Sequence, residues 1–83
     1  MPHVIVKLWP GKSEGQKRRL SDAILRDVTS TLNYGDDAVS VAFEEVAPAD
    51  WTAKVVEPDI LKKWNSLTKE PGYVQRPSAE GRS

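Results

Sequence analysis

The residue best placed to do chemistry is Pro2, which directly follows Met1 and opens the run His3-Val4-Ile5-Val6-Lys7-Leu8. Once Met1 is removed, Pro2 carries a secondary amine at the mouth of a β-strand, where a fold can hold it still and partly shield it from water. An α-amino group ordinarily titrates at about 7.7 to 8.0. Burial or a neighbouring cation disfavours its charged form and lowers that value. A base poised near neutrality is what proton abstraction requires. Proline is also tolerated at the first position of a strand with no chemistry attached, so the surrounding sequence decides between the two readings.

Other routes to chemistry are narrower. The 83-residue chain has no cysteine, which excludes disulfides, thiolate catalysis and cysteine-ligated metal together. Its one histidine, His3, stands next to the candidate base, either as a group that tunes it or as an exposed strand histidine. Glu44 and Glu45 look like a carboxylate pair, but successive strand side chains point to opposite faces and cannot share one site. Asp36-Asp37 has no series of oxygen ligands after it at the spacing of a calcium loop, and no metal site is expected.

Twelve basic residues balance twelve acidic ones, which removes the electrostatic footprint of a nucleic-acid binder. Lys17-Arg18-Arg19 then reads as a solvated helix face rather than an anion patch. No apolar run approaches a membrane span. The first residues also lack the long apolar core and small-residue cleavage site of a signal peptide, so the expected location is the cytoplasm.

The elements that must position Pro2 follow from periodicity. Residues 3 to 8 alternate as a strand, with Val4, Val6 and Leu8 on one face and His3, Ile5 and Lys7 on the other. Trp9-Pro10-Gly11-Lys12 breaks the pattern as a loop. Ser13 with Gln16 forms a capping box, and Glu14 suits a first helical turn. Leu20, Ile24, Val28 and Leu32, widened by Ala23 and Thr31, predict one apolar helix face, and Gly35 is the expected left-handed stop. Val39 to Val46 alternates as a second strand.

Strand, helix and strand make a βαβ unit, expected to be parallel and right-handed. After the turn Ala47-Pro48-Ala49-Asp50-Trp51, residues 57 to 69 read as a second helix. Pro58 falls in its first turn, and Ile60, Leu61, Trp64 and Leu67 form its stripe. Pro71-Gly72 ends it, and residues 75 to 83 read as a flexible tail behind a single domain spanning 2 to 74. Two strands alone make a marginal sheet, and a chain this short buries a small share of its surface. A homodimer with a joined four-stranded sheet answers both problems.

Pro2 after Met1, the first strand, the Gly11-Lys12-Ser13 loop into a helix carrying Gln16-Lys17, the second strand and Trp51 beyond it together resemble the 4-oxalocrotonate tautomerase family. The second helix and the Lys-Glu-Pro-Gly-Tyr run at 69 to 73 are similar to the dimeric, bacterial PptA-type members. The resemblance implies an α/β fold and a cofactor-independent isomerase in which Pro2 moves a proton within a small enol or keto acid. The family's first-loop arginine falls on Lys12, which keeps the charge and loses the bidentate geometry. Its second-strand arginine falls on Ser40, which removes a cation and points to a monocarboxylate such as an aryl enolpyruvate. Its aromatic wall falls on Trp51, a residue that packing alone would also explain. Two rival readings follow: a hydratase or dehalogenase in which cationic Pro2 is the acid, and a non-catalytic dimeric binding module.

Overall fold

The alternation at the start of the chain becomes strand β1, His3–Leu8, and the second alternating run becomes β2, Ser40–Glu45. They pair in parallel, from His3 against Ser40 to Leu8 against Glu45. The ladder runs past both ends: the Ser40 N–H donates to the Pro2 carbonyl at 3.2 Å, and the Val46 N–H donates to the Leu8 carbonyl at 2.8 Å. Partners in register share a face. Val4, Val6 and Leu8 therefore lie with Val41, Phe43 and Glu45, and His3, Ile5 and Lys7 lie with Ser40, Ala42 and Glu44.

Helix α1, Glu14–Leu32, connects the strands and starts where its cap dictates. The Gln16 N–H donates to Ser13 Oγ at 3.0 Å, and the Ser13 N–H donates to Gln16 Oε1 at 2.9 Å. Two otherwise orphaned donors are thus satisfied. The packed face differs from the predicted stripe, because Leu20 and Leu32 are 44% and 55% exposed. Ala23, Ile24 and Val28 of that stripe are half-buried, and Ser21 and Leu25 join them. Residues four apart wind by about 40° per step at 3.6 residues per turn, so a row of four such residues swings off any one sheet. The helix stops at Asn33, left-handed at φ 62° and ψ 47°, whereas Gly35 is extended at φ −80°. Asparagine is among the few non-glycine residues that visit that conformation readily. A short 3₁₀ turn, Asp36–Ala38, then leads into β2.

This computed structural model describes residues 1–77 and groups the chain into two compact units, Met1–Val46 and a second beginning at Ala47. In the second, the helix predicted over 57 to 69 lies earlier, at Thr52–Leu61, and is wound as a π-helix. The Lys62 N–H accordingly reaches the Glu57 carbonyl, five residues back, at 3.2 Å. Pro58 lies inside this helix. In an α-helix its ring would clash with the carbonyl four residues earlier, and the wider turn relieves that crowding. The earlier start follows from the Pro48–Asp50 turn, which feeds Trp51 directly into helical geometry at φ −59° and ψ −45°.

The predicted continuation through residue 69 is replaced by a 3₁₀ turn at Trp64–Ser66 and an extended Leu67. Among the described residues, Val55, Val56 and Trp64 are the buried apolar ones. Of the expected tail, Arg76 pairs with Glu70 at 3.7 Å, and residues 78–83 lie outside the described residues. Among the described residues no helix is long and apolar enough to cross a membrane.

Candidate active site

Pro2 is held one residue ahead of β1. It is half-buried, and its carbonyl is fixed by the Ser40 N–H. With Met1 attached, the Pro2 nitrogen is an amide whose lone pair is delocalised into the carbonyl. Met1 is 88% exposed, and its removal restores the basic amine.

Ser40, the first residue of β2, sits opposite His3, the first of β1. Their side chains join through a 2.6 Å hydrogen bond between His3 Nδ1 and Ser40 Oγ. Pro2, His3 and Ser40 therefore share one end of the sheet.

Lys12 stands at the other end. Strand β1 has six residues, and the six steps from Pro2 to Leu8 at about 3.3 Å each separate Pro2 from the far end by roughly 20 Å. The chain turns there through Gly11, whose φ of +120° favours a residue with no Cβ. Nor does the helix bring the loop back. Lys17, in its first turns, donates to Glu45 at 2.9 Å at the far end of β2 and pairs with Glu14 at 3.0 Å. Lys12 itself is exposed, so within one chain it is separated from Pro2 by the length of the strand.

Trp51 belongs to the second unit, where it is half-buried. Its Nε1 donates to the Tyr73 hydroxyl at 2.9 Å, which fixes the plane of the indole. Tyr73 has no local sequence signal for this role, since 22 residues separate it from its partner.

A further open groove of about 650 Å³ runs between Glu14, Lys17, Arg18 and Ser21 of α1 and Val41 and Phe43 of β2, and none of the four expected site residues lines it. Glu45 first, and Glu14 second, hold the Lys17 ammonium above the ordinary lysine value. This cation is engaged in the fold. Glu44 and Glu45 fall on opposite faces, as strand geometry requires, and only Glu45 meets Lys17.

A family model described as "Tautomerase enzyme" matches residues 2–58. A probable tautomerase of Xylella fastidiosa (strain 9a5c) is 41% identical over 75 residues, covering 90% of this chain and 92% of that protein. Tautomerase PptA of Cronobacter sakazakii (strain ATCC BAA-894) is 34% identical over 74 residues, covering 88% of this chain and 97% of that protein. Among solved structures, TomN, a 4-oxalocrotonate tautomerase homologue in the tomaymycin biosynthetic pathway, aligns with a TM-score of 0.58 at 28% identity, over 78% of this chain and 97% of its own. A trans-3-chloroacrylic acid dehalogenase structure aligns with a TM-score of 0.57 at 20% identity, over 59% of this chain and 92% of its own, a likeness of fold.

Proposed function

Because this chain belongs to the tautomerase family and is an isomerase, we propose that Pro2, freed of Met1, is the general base of a keto-enol tautomerase acting on a small enol or 2-keto acid. The observation that carries this reading is the placement of Pro2. It is half-buried at the head of β1, with its backbone tied to β2 through Ser40. The neutral amine takes the enol hydroxyl proton as the O–H electron pair becomes the carbonyl π bond. The carbon–carbon π pair then takes a proton from the Pro2 ammonium, which returns the amine to neutrality. One base serves both transfers and no net charge is created.

Charge builds on the enolate oxygen along this path and needs a donor. Lys12 supplies it from a partner subunit, since roughly 20 Å of β1 separates the two residues within a chain. The enzyme is a homodimer in which two β1 strands run antiparallel, bringing the Lys12 end of one beside the Pro2 end of the other. Three observations support that arrangement. The sheet has two strands among the described residues, Ile5 of β1 is 48% exposed, and Leu20 and Leu32 of α1 are uncovered. The family's aromatic wall corresponds to Trp51, whose indole is oriented by Tyr73. Ser40 lines the substrate's end of the sheet. A single carboxylate on the substrate, as in phenylenolpyruvate, suits a site in which Lys12 and Ser40 stand where the family carries arginines.

The test is ketonisation of phenylenolpyruvate, followed by ultraviolet absorbance, on protein shown by mass to lack Met1. Turnover should fall by at least about a hundredfold in Pro2→Ala. Full activity in Pro2→Ala, or none above buffer in the unaltered protein, contradicts the reading.

A further inference from the structure

The hydrogen bond between His3 and Ser40 joins two side chains that a solvated strand end does not need. Each is the first residue of its strand, they face each other in register, and both are exposed. Two exposed polar groups gain little stability from meeting, because water would satisfy each of them equally well. What the 2.6 Å contact does achieve is to fix the imidazole plane. A protonated ring donates from Nδ1 to Ser40 Oγ and carries a second hydrogen on Nε2, whereas the neutral ring carries hydrogen on Nε2 in the tautomer that accepts from the Ser40 hydroxyl. The outer edge of the protonated ring is therefore a cationic donor.

This donor stands next to the proposed base, since the Cα atoms of adjacent residues are about 3.8 Å apart. In a 2-keto or 2-enol acid the carboxylate is bonded directly to the carbon that bears the reacting oxygen. A group beside Pro2 is thus at the right scale to hold that carboxylate while the amine works one or two atoms away. With Lys12 a strand's length off in the same chain, His3 is a potential cation at Pro2's own end of the sheet, where the turn Asp36–Ala38 also brings the carboxylates of Asp36 and Asp37.

We propose that His3, oriented by Ser40, binds the substrate carboxylate through Nε2–H and makes affinity for 2-keto and 2-enol acids rise as the imidazole gains a proton. The proposal rests on the reading of Pro2 as the base and deepens it by assigning the carboxylate subsite. A protonated imidazole donates charge-assisted hydrogen bonds, so the subsite holds an anion best when His3 carries its proton. The charged groups on the same sheet face are Lys7 and Glu44, opposite each other and further along the strands. The ion pair of Lys17 with Glu45 lies on the other face. The freed Pro2 amine and the carboxylates of Asp36 and Asp37, in the turn before Ser40, are the further titratable groups at this end of the sheet; the amine's charge adds to anion binding at low pH and the carboxylates oppose it. Only the part of the pH dependence that His3 carries bears on the proposal. His3 is here a binding residue and Ser40 a positioning residue.

The experiment uses benzoylformate, a 2-keto acid that cannot enolise, so that binding is read without turnover. Its affinity for Met1-free protein is measured by titration calorimetry at about pH 5 and about pH 8. The methyl ester serves as a carboxylate-free control. The unaltered protein should bind the acid about tenfold more tightly at the lower pH than His3→Gln does, with the two converging at the higher pH. The ester should not distinguish them. Ser40→Ala should lose a severalfold share of the same low-pH affinity, and Ser40→Thr, which restores a hydroxyl, should recover it. In the phenylenolpyruvate assay the loss in His3→Gln should appear in KM and leave kcat largely intact. The proposal is overturned if His3→Gln keeps the full low-pH affinity, if acid and ester lose affinity equally, or if the unaltered protein does not bind benzoylformate. It is equally overturned if Ser40→Thr behaves as Ser40→Ala. Failure of the base reading shows elsewhere, as retained turnover in Pro2→Ala, and leaves the binding results standing.

Discussion

Within one chain Lys12 and Pro2 stand at opposite ends of a six-residue strand, roughly 20 Å apart, so a substrate of a few atoms cannot touch both. If both act on it, each active site combines Pro2 of one subunit with Lys12 of its partner, and two crippled variants should complement. Pro2→Ala removes the secondary amine and should cost about 10² to 10⁴ in kcat/KM. Lys12→Ala removes a charge-assisted hydrogen bond to the developing enolate oxygen, about 1.5 to 3 kcal/mol, or roughly 10- to 150-fold. Unfolding and refolding an equal mixture yields heterodimers as half of all dimers. In each of these, one of the two sites holds both native residues. Activity should therefore recover to about a quarter of the unaltered enzyme under two-fold symmetry. Native mass spectrometry confirms that subunits have exchanged, and phenylenolpyruvate ketonisation reads the outcome. Heterodimers that form and stay inactive would refute the shared site. So would a Lys12→Ala enzyme with undiminished kcat/KM.

Three other expectations concern the scaffold. Ser13→Ala removes the acceptor for the Gln16 amide at 3.0 Å and breaks the capping box, which should cost about 1 kcal/mol in urea unfolding with little change in activity. Tyr73→Phe leaves the Trp51 indole N–H without its 2.9 Å acceptor. Because both groups are partly exposed, stability should fall by no more than about 1 kcal/mol, while a mobile indole lowers kcat/KM several-fold in the ketonisation assay. Lys17 is held above 10.5 by Glu45 first and Glu14 second. A raised value in the folded state stabilises the fold below the unfolded value and is lost as pH rises through the folded one. Unfolding free energy should therefore decline above pH 10.5, and less steeply in Lys17→Met.

The sequence carried those features whose cause is local. Ser13 and Gln16 are three residues apart and satisfy one another's backbone amides, so the start of α1 could be read directly. The alternation of Val4, Val6 and Leu8, and of Val41 and Phe43, carried both strands. Their parallel pairing followed from a connection long enough to hold a helix. Features set by competition between signals were not legible. Asn33 and Gly35 are both acceptable helix stops, and the earlier one prevails because its amide already reaches the Thr29 carbonyl. Pro58 signalled a first turn, yet it lies inside a helix whose π winding makes room for it, and no periodicity of 3.6 announces that winding. At the site, Pro2 and Ser40 were expected individually, and strand register alone brings them together. Resemblance assigned Lys12 a role in the same site as Pro2, and the length of β1 is what separates the two within one chain. The bonds from His3 to Ser40 and from Trp51 to Tyr73 span 37 and 22 residues, beyond any local pattern.

The most direct test of the central claim is a nitrogen-15 NMR titration of Met1-free protein labelled at proline. The account predicts that the Pro2 amine loses its proton below the ordinary α-amino range. It also predicts that kcat/KM for phenylenolpyruvate rises with pH through that same value, because only the neutral amine can take the enol proton. A Pro2 that stays protonated above that range, with turnover falling as it loses its proton, would contradict the account and identify Pro2 as an acid.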